Sequence, residues 1–318
     1  MGVVEAVDVH QHLWSEPLVE ALAARSDGPR VRRDGRAWRL DLPDGRAAYL
    51  PVETAAARAA RLRAGGFDRA LIALPAELGV ERLPAEEAAP LLAAHADGAR
   101  ADAALATWAS TSLHDLDAAV AGLGERLDGA AGLCLPAGAL ADPAALHRLG
   151  PLLEALERAG KPLLVHPGAA AAPGAPAWWS ELAGDVAQQQ AAWLAFADGG
   201  RLAHPGLRVV FAGLAGLAPL QFERAVARGG PSAAVRDGNL FYDTSAYGSF
   251  AIEAMARVVG PGQLVHGSDL PAAEPPAGPT ADGLDPADWE AMATVNAARL
   301  LGGDRRATAA PAPLAAAA

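Results

Sequence analysis

Short runs of aliphatic and β-branched residues alternate along this chain with longer stretches whose apolar positions recur at helical spacing. The runs at 3–9, 69–74, 103–108, 131–135, 162–166, 207–212, 239–243 and 263–267 predict strands. The stretches at 53–65, 84–97, 113–125, 143–159, 180–198, 218–229, 247–259 and 286–301 predict helices. Eight strands, each followed by a helix, predict the α/β class and a (β/α)8 TIM barrel. An open doubly wound sheet rarely keeps strict alternation for so many units.

Two segments depart from the alternation. Residues 13–51 form an insertion after the first strand. Within it Ala37–Leu42, the turn Pro43-Asp44-Gly45 and Arg46–Leu50 predict a β-hairpin. Such a hairpin would lie at the C-terminal face of the barrel. The alanine- and proline-rich tail, 306–318, is expected to be disordered, leaving 1–305 as one barrel domain.

Composition narrows the class of partner. A 52% hydrophobic, 20% charged chain of 318 residues can bury a large core. Its net charge of −11 argues against nucleic acid or an anionic membrane surface as partner. The lone cysteine, Cys134, excludes an internal disulfide and a thiolate zinc site. No secretory signal and no apolar run of spanning length is visible, so a cytoplasmic location is expected. A small-molecule partner is expected, and the Trp178-Trp179 stretch leaves room for a homodimer contact.

The chemistry begins at Asp8-Val9-His10-Gln11-His12. Alternate residues of a strand share a face, so His10 and His12 can reach one metal ion. Further ligands should come from the C-terminal ends of other barrel strands. His166 ends the fifth, in Leu164-Val165-His166-Pro167, and Asp269 follows the eighth, in Gly267-Ser268-Asp269-Leu270-Pro271. Three imidazoles and a carboxylate suit Zn²⁺ best, with Mn²⁺ or Fe²⁺ as alternatives.

These pieces, in this order, resemble the amidohydrolase superfamily, in the amidohydrolase-related branch that includes lactonases and non-oxidative decarboxylases. Asn296-Ala297-Ala298-Arg299-Leu300-Leu301 is similar to the closing helix of that group. The resemblance implies that His10, His12, His166 and Asp269 bind the metal and that Asp269 also shuttles a proton. It implies a histidine at strand six as well, where this chain has Gly213. Nearby His204 precedes that strand and belongs to the opposite end of the barrel. Binuclear members carry a lysine at the end of strand four; the only lysine here, Lys161, begins strand five, so a single metal is expected.

Other residues have structural readings. His266 is expected to pack away from Asp269, and His95, His114 and His147 to lie at the surface. Glu77 and Trp108 are pocket candidates. Trp178-Trp179, Gln188-Gln189-Gln190 and Trp193 could cover the substrate or pack against a neighbour. Asp243-Thr244-Ser245-Ala246-Tyr247 could contact substrate or cap a helix.

Three functions remain open. The first is a metal-dependent hydrolase of a lactone, ester or amide, since Asp-x-His-x-His-Leu-Trp is most similar to the lactonase members. The second is a non-oxidative decarboxylase of an aromatic or vinylic acid. The third is a barrel that keeps its metal but has lost catalysis, as Gly213 suggests.

Overall fold

All eight predicted strands pair, in sequence order, into one parallel sheet. The computed structural model describes residues 4–169, 176–231, 234–273 and 283–303. The barrel strands are β1 (Val7–His12), β5 (Arg69–Ala73), β6 (Leu105–Ala109), β7 (Ala130–Pro136), β8 (Leu163–His166), β9 (Val209–Phe211), β10 (Leu240–Asp243) and β11 (Leu264–Val265). Three more strands, β2 (Arg30–Asp34), β3 (Ala37–Asp41) and β4 (Ala47–Tyr49), lie in the insertion. The ring closes between its first and last members. Val9 N donates to His266 O at 2.9 Å, Asp269 N to His10 O at 2.9 Å, and His12 N to Leu270 O at 2.7 Å. The expected tail at 306–318 lies outside the described residues.

Side-chain alternation divides the core into two layers. Leu133 and Leu135, Leu163 and Val165, Val209 and Phe211, and Leu240 and Tyr242 join the outer cluster, against the helices. The residues between them, Cys134, Leu164, Val210 and Phe241, join an inner cluster with Val7, Val9, Leu71 and Trp108. The helix Pro143–Arg158 shows how the outer layer forms. Asp142 caps it by accepting from Ala145 N at 2.7 Å, Pro143 opens it, and Leu146, Leu149, Leu153 and Leu156 give it a buried stripe. Gly132 serves the inner layer. A Cβ there would stand 2.2 Å from Pro162 O and 2.6 Å from Trp108 Cζ3, so only glycine leaves room for the indole.

The first strand begins and ends later than its apolar run, at Val7 and His12 rather than 3 and 9. Its pairing with β5 runs Val7 to Arg69 and Asp8 to Ala70, then Gln11 to Ile72 and His12 to Ala73. Three steps on β1 therefore match two on β5, which is a β-bulge at Val9–His10. The bulge changes the parity of the strand. Val7 and Val9 face the apolar interior, while His10 and His12 face the barrel mouth above it. The Val9 carbonyl, at the bulge, accepts a hydrogen bond from Trp108 Nε1 at 2.8 Å.

The insertion is an antiparallel sheet in the order β2-β3-β4, preceded by the helix Glu16–Ala23. The β3–β4 pair corresponds to the hairpin residues. β2 has no apolar alternation to announce it: Arg30-Val31-Arg32-Arg33-Asp34 buries only Val31. Val31, Leu40 and Leu42 pack with Leu18, Leu22, Leu74 and Val80, so the insertion backs the loop after β5. The helix expected at 218–229 is shorter, Phe222–Val226: residues 218–221, with Pro219 among them, form a tighter 3-10 turn that follows a left-handed stretch at 213–217. Among the described residues no helix is long and apolar enough to cross a membrane.

Candidate metal centre

His10, His12, His166 and Asp269 converge at the mouth of the barrel. One ligand atom from each lies within 4.8 Å of all the others. His12 Nε2 is 3.2 Å from both His10 Nε2 and His166 Nε2, and 3.1 Å from Asp269 Oδ1. The residues come from β1, the end of β8 and the segment after β11, so the centre straddles the seam that closes the ring.

The outer nitrogens of the three rings are all engaged. His12 Nδ1 donates to Ala73 O at 3.0 Å and His166 Nδ1 to Pro167 O at 2.7 Å. A carbonyl oxygen can only accept, so these partners assign the proton to Nδ1 and leave Nε2 a lone pair. Two such lone pairs 3.2 Å apart repel unless a cation lies between them. Asp269 Oδ1, beside them, is buried and has no hydrogen-bond partner among the described residues. Orphaned donors of this kind fit one divalent metal ion.

The electrostatics agree. Burial opposes charge on His10, but Asp243, with Asp269 and Asp8, raises its pKa to about 9. Burial and the neighbouring His10 and His12 lower His166 to about 3. Burial also opposes ionisation of Asp269, yet the imidazoles, His12 first, hold its carboxyl well below the usual range. The site thus stabilises one positive charge beside a neutral His166 and an ionised Asp269.

Asp243 has a role that neither of its sequence readings anticipates. Its Oδ2 accepts from His10 Nδ1 at 2.8 Å. Its Oδ1 accepts from Gly213 N at 2.9 Å, Ser245 N at 3.0 Å and the Ser245 hydroxyl. It caps no helix; the helix Ser249–Val259 has Gly248 at its N-cap. A carboxylate behind a metal-facing imidazole fixes the tautomer and raises the basicity of the ring. Only its place at the end of the seventh barrel strand could have signalled this.

A second network holds β1 from outside. Asp8 accepts from His10 N at 3.2 Å, Gln11 Nε2 at 2.8 Å and Ser268 N at 3.1 Å, tying the two sides of the seam. Arg58 Nη1 donates to Gln11 Oε1 at 3.0 Å and to His12 O at 2.7 Å, while its Nε donates to Glu53 at 2.9 Å. The Arg58 side chain is 1% exposed. Arg58→Met strands these acceptors and leaves Glu53 only the half-exposed Arg61, 3.3 Å away, and is expected to cost about 3 kcal/mol. A lower urea midpoint with unchanged slope would register the loss; an unchanged midpoint would refute it.

Gly213 begins an uncommon stretch of backbone. Gly213, Leu214, Ala215, Gly216 and Leu217 all have φ between 50° and 62°. The left-handed region costs a non-glycine residue roughly 1–2 kcal/mol. Burial of Leu214 and Ala215, the Gly213–Asp243 bond and a 2.8 Å bond from Gln190 Nε2 to Gly216 O offset it. No side chain enters the mouth at 213, and Tyr247 Cε2 lies 3.8 Å from where a Cβ would be.

The remaining residues divide between near and far. His166 also walls a cleft of about 360 Å³, open to solvent, whose lining includes Val80, Glu81, Ser110, Thr111 and Cys134. Glu77 and Trp108 are not part of that lining; Trp108 is fully buried below the site. Gln188 and Gln189 bond Gly168 N and Val165 O, bracing the end of β8. Trp193 is buried and donates to Tyr242 Oη at 3.0 Å, whereas Trp178 and Trp179 are half exposed. His266 stacks on Phe67, away from the metal centre. His204 lies 3.6 Å from Glu157, and Lys161 Nζ bonds Ala130 O at the start of β7, both outside the site. His95 corrects an expectation. It is 4% exposed, not at the surface, because its helix turns it toward β5 and β6, and burial lowers its pKa to about 4.

Barrel, seam and donor set together make a (β/α)8 barrel whose mouth fits a single divalent metal ion. The chain belongs to the amidohydrolase family, whose model matches residues 7–303. Among solved structures it is similar to 5-carboxyvanillate decarboxylase from Sphingomonas paucimobilis, with 21% identity and TM-score 0.70 over 94% of this chain and 99% of that one. It is also similar to 2,6-dihydroxybenzoate decarboxylase complexed with 2,6-dihydroxybenzoate, at 16% identity and TM-score 0.69 over 94% and 100% of the two chains. A third is 5-carboxyvanillate decarboxylase from Novosphingobium aromaticivorans, complexed with manganese and 4-hydroxy-3-methoxy-5-nitrobenzoic acid, at 15% identity and TM-score 0.68 over 94% and 96%. No curated protein sequence matches this one significantly.

Proposed function

We propose that this protein is a metal-dependent, non-oxidative decarboxylase of aromatic acids. The observation that carries the reading is the agreement in fold, over 94% of the chain, with aryl-acid decarboxylases, around a donor set suited to binding a carboxylate. Hydrolysis of a lactone, ester or amide, expected first from the N-terminal motif, has the family description behind it. None of the three structures named above is a hydrolase.

His10, His12, His166 and Asp269 would hold the ion. When bound, it supplies a Lewis acid that neutralises the negative charge of the substrate. Zn²⁺ and Mn²⁺ both suit the ligands, and manganese accompanies one of the relatives. Asp243 keeps His10 aimed with its Nε2 toward His12 and Asp269. Beneath the centre Trp108, Leu164 and Phe241, each no more than 1% exposed, exclude water from the barrel interior.

In the reaction the bond from ring carbon to carboxyl carbon breaks, carbon dioxide leaves, and the ring carbon takes a proton in its place. Asp269, at the mouth with 19% of its side chain exposed, would move that proton. The metal-loaded protein is expected to release carbon dioxide from at least one hydroxylated benzoic acid. Turnover confined to lactones, esters or amides in a parallel panel would return the reading to a hydrolase.

A further inference from the structure

The cleft beside His166 has a chemistry of its own. Leu74, Pro75, Ala76, Val80 and Pro136 make much of its wall apolar, and Ser110 and Thr111 add hydroxyls. Among the described residues, apart from the metal-facing His166, Glu81 is its only formally charged residue, and no lysine or arginine lines it.

Glu81 is fixed rather than a loose surface group. Its side chain is 14% exposed, and its carbonyl accepts from Leu113 N at 2.8 Å. The residue before it, Val80, is anchored in the cluster that holds the insertion. Its only side-chain partner among the described residues is the adjacent Arg82, 3.1 Å away and two-thirds exposed. An ionised carboxylate can accept about four hydrogen bonds. Most of that capacity is unfilled, in a cleft that shares a wall with the metal centre.

We propose that Glu81 selects the substrate: it accepts a hydrogen bond from a hydroxyl or protonated amine at the end remote from the metal centre, and it rejects acids with a second anionic group there. This rests on the aryl-acid reading above. A flat apolar ring matches the walls, one carboxylate goes to the metal end, and no cation waits for another.

The test is calorimetric binding to Mn²⁺-loaded protein of benzoate, 4-hydroxybenzoate, 4-(aminomethyl)benzoate and terephthalate. These share one ring and one carboxylate and differ only at the remote end. Because hydrogen bonds to charged groups are among the stronger ones, 4-(aminomethyl)benzoate should bind roughly tenfold or more tighter than benzoate. The hydroxyl compound should fall between them and terephthalate should bind weakest. In the isosteric Glu81→Gln, with melting temperature and metal content unchanged, the differences should shrink to about threefold or less.

The same ranking in Glu81→Gln would overturn the proposal. So would terephthalate binding as tightly as benzoate, or no binding of any of the four acids. If the Glu81-dependent ranking holds but no acid loses carbon dioxide, the decarboxylase reading alone fails. If acids are decarboxylated and the ranking ignores Glu81, the selectivity proposal alone fails.

Discussion

Asp269→Asn is expected to lower turnover roughly a thousandfold at saturating metal. Proton transfer by a positioned side chain is worth about 10²–10⁴ in rate, and an amide cannot carry the proton. The amide oxygen can still face the ion, but without its negative charge, so metal retention should weaken too. Measuring metal content beside kcat separates the two effects. Near-native turnover in the fully loaded variant would remove Asp269 from the proton's path.

Metal removal should have the largest effect on stability. The candidate donors come from β1, the end of β8 and the segment after β11, around the seam of the ring, so a bound ion would act as its clasp. A ligand that binds only the folded state at about a thousand times its Kd adds ~4 kcal/mol. Chelation should therefore lower the melting temperature by several degrees and restoration of Zn²⁺ or Mn²⁺ should recover it. The chelated protein should also weaken on acidification. His95 and His166 have folded pKa values of about 4 and 3, below the 6.5 of an unfolded histidine. Between those values the unfolded chain binds more protons, so stability is present above pH 6.5 and falls as pH drops toward 3. His10 acts oppositely, its contribution fading as pH rises toward 9. A melting temperature indifferent to chelator would refute the clasp.

The barrel could be read from the chain because its signal is local. Each strand is a compact apolar run, and the candidate ligands are rare residue types at the ends of such runs. The partner of His10 could not be read in the same way. Asp243 lies 233 residues from it and looks, in its own neighbourhood, like any turn or cap residue. β2 escaped notice for a different reason: it pairs through its backbone while four of its five side chains are exposed. His95 misled because an alanine-rich helix shows its buried stripe weakly, and a single polar residue within it gives no sign of facing inward.

The left-handed turn after β9 has a consequence for change at this site. Its backbone already carries leucine and alanine at positive φ, so a side chain at position 213 is admissible at a backbone strain of roughly 1–2 kcal/mol. A side chain added there would meet Tyr247 and the Ser245 carbonyl only at ordinary contact distance. The scaffold therefore keeps an open socket beside the metal centre. A single substitution could equip it with a new functional group while the barrel beneath stays as it is.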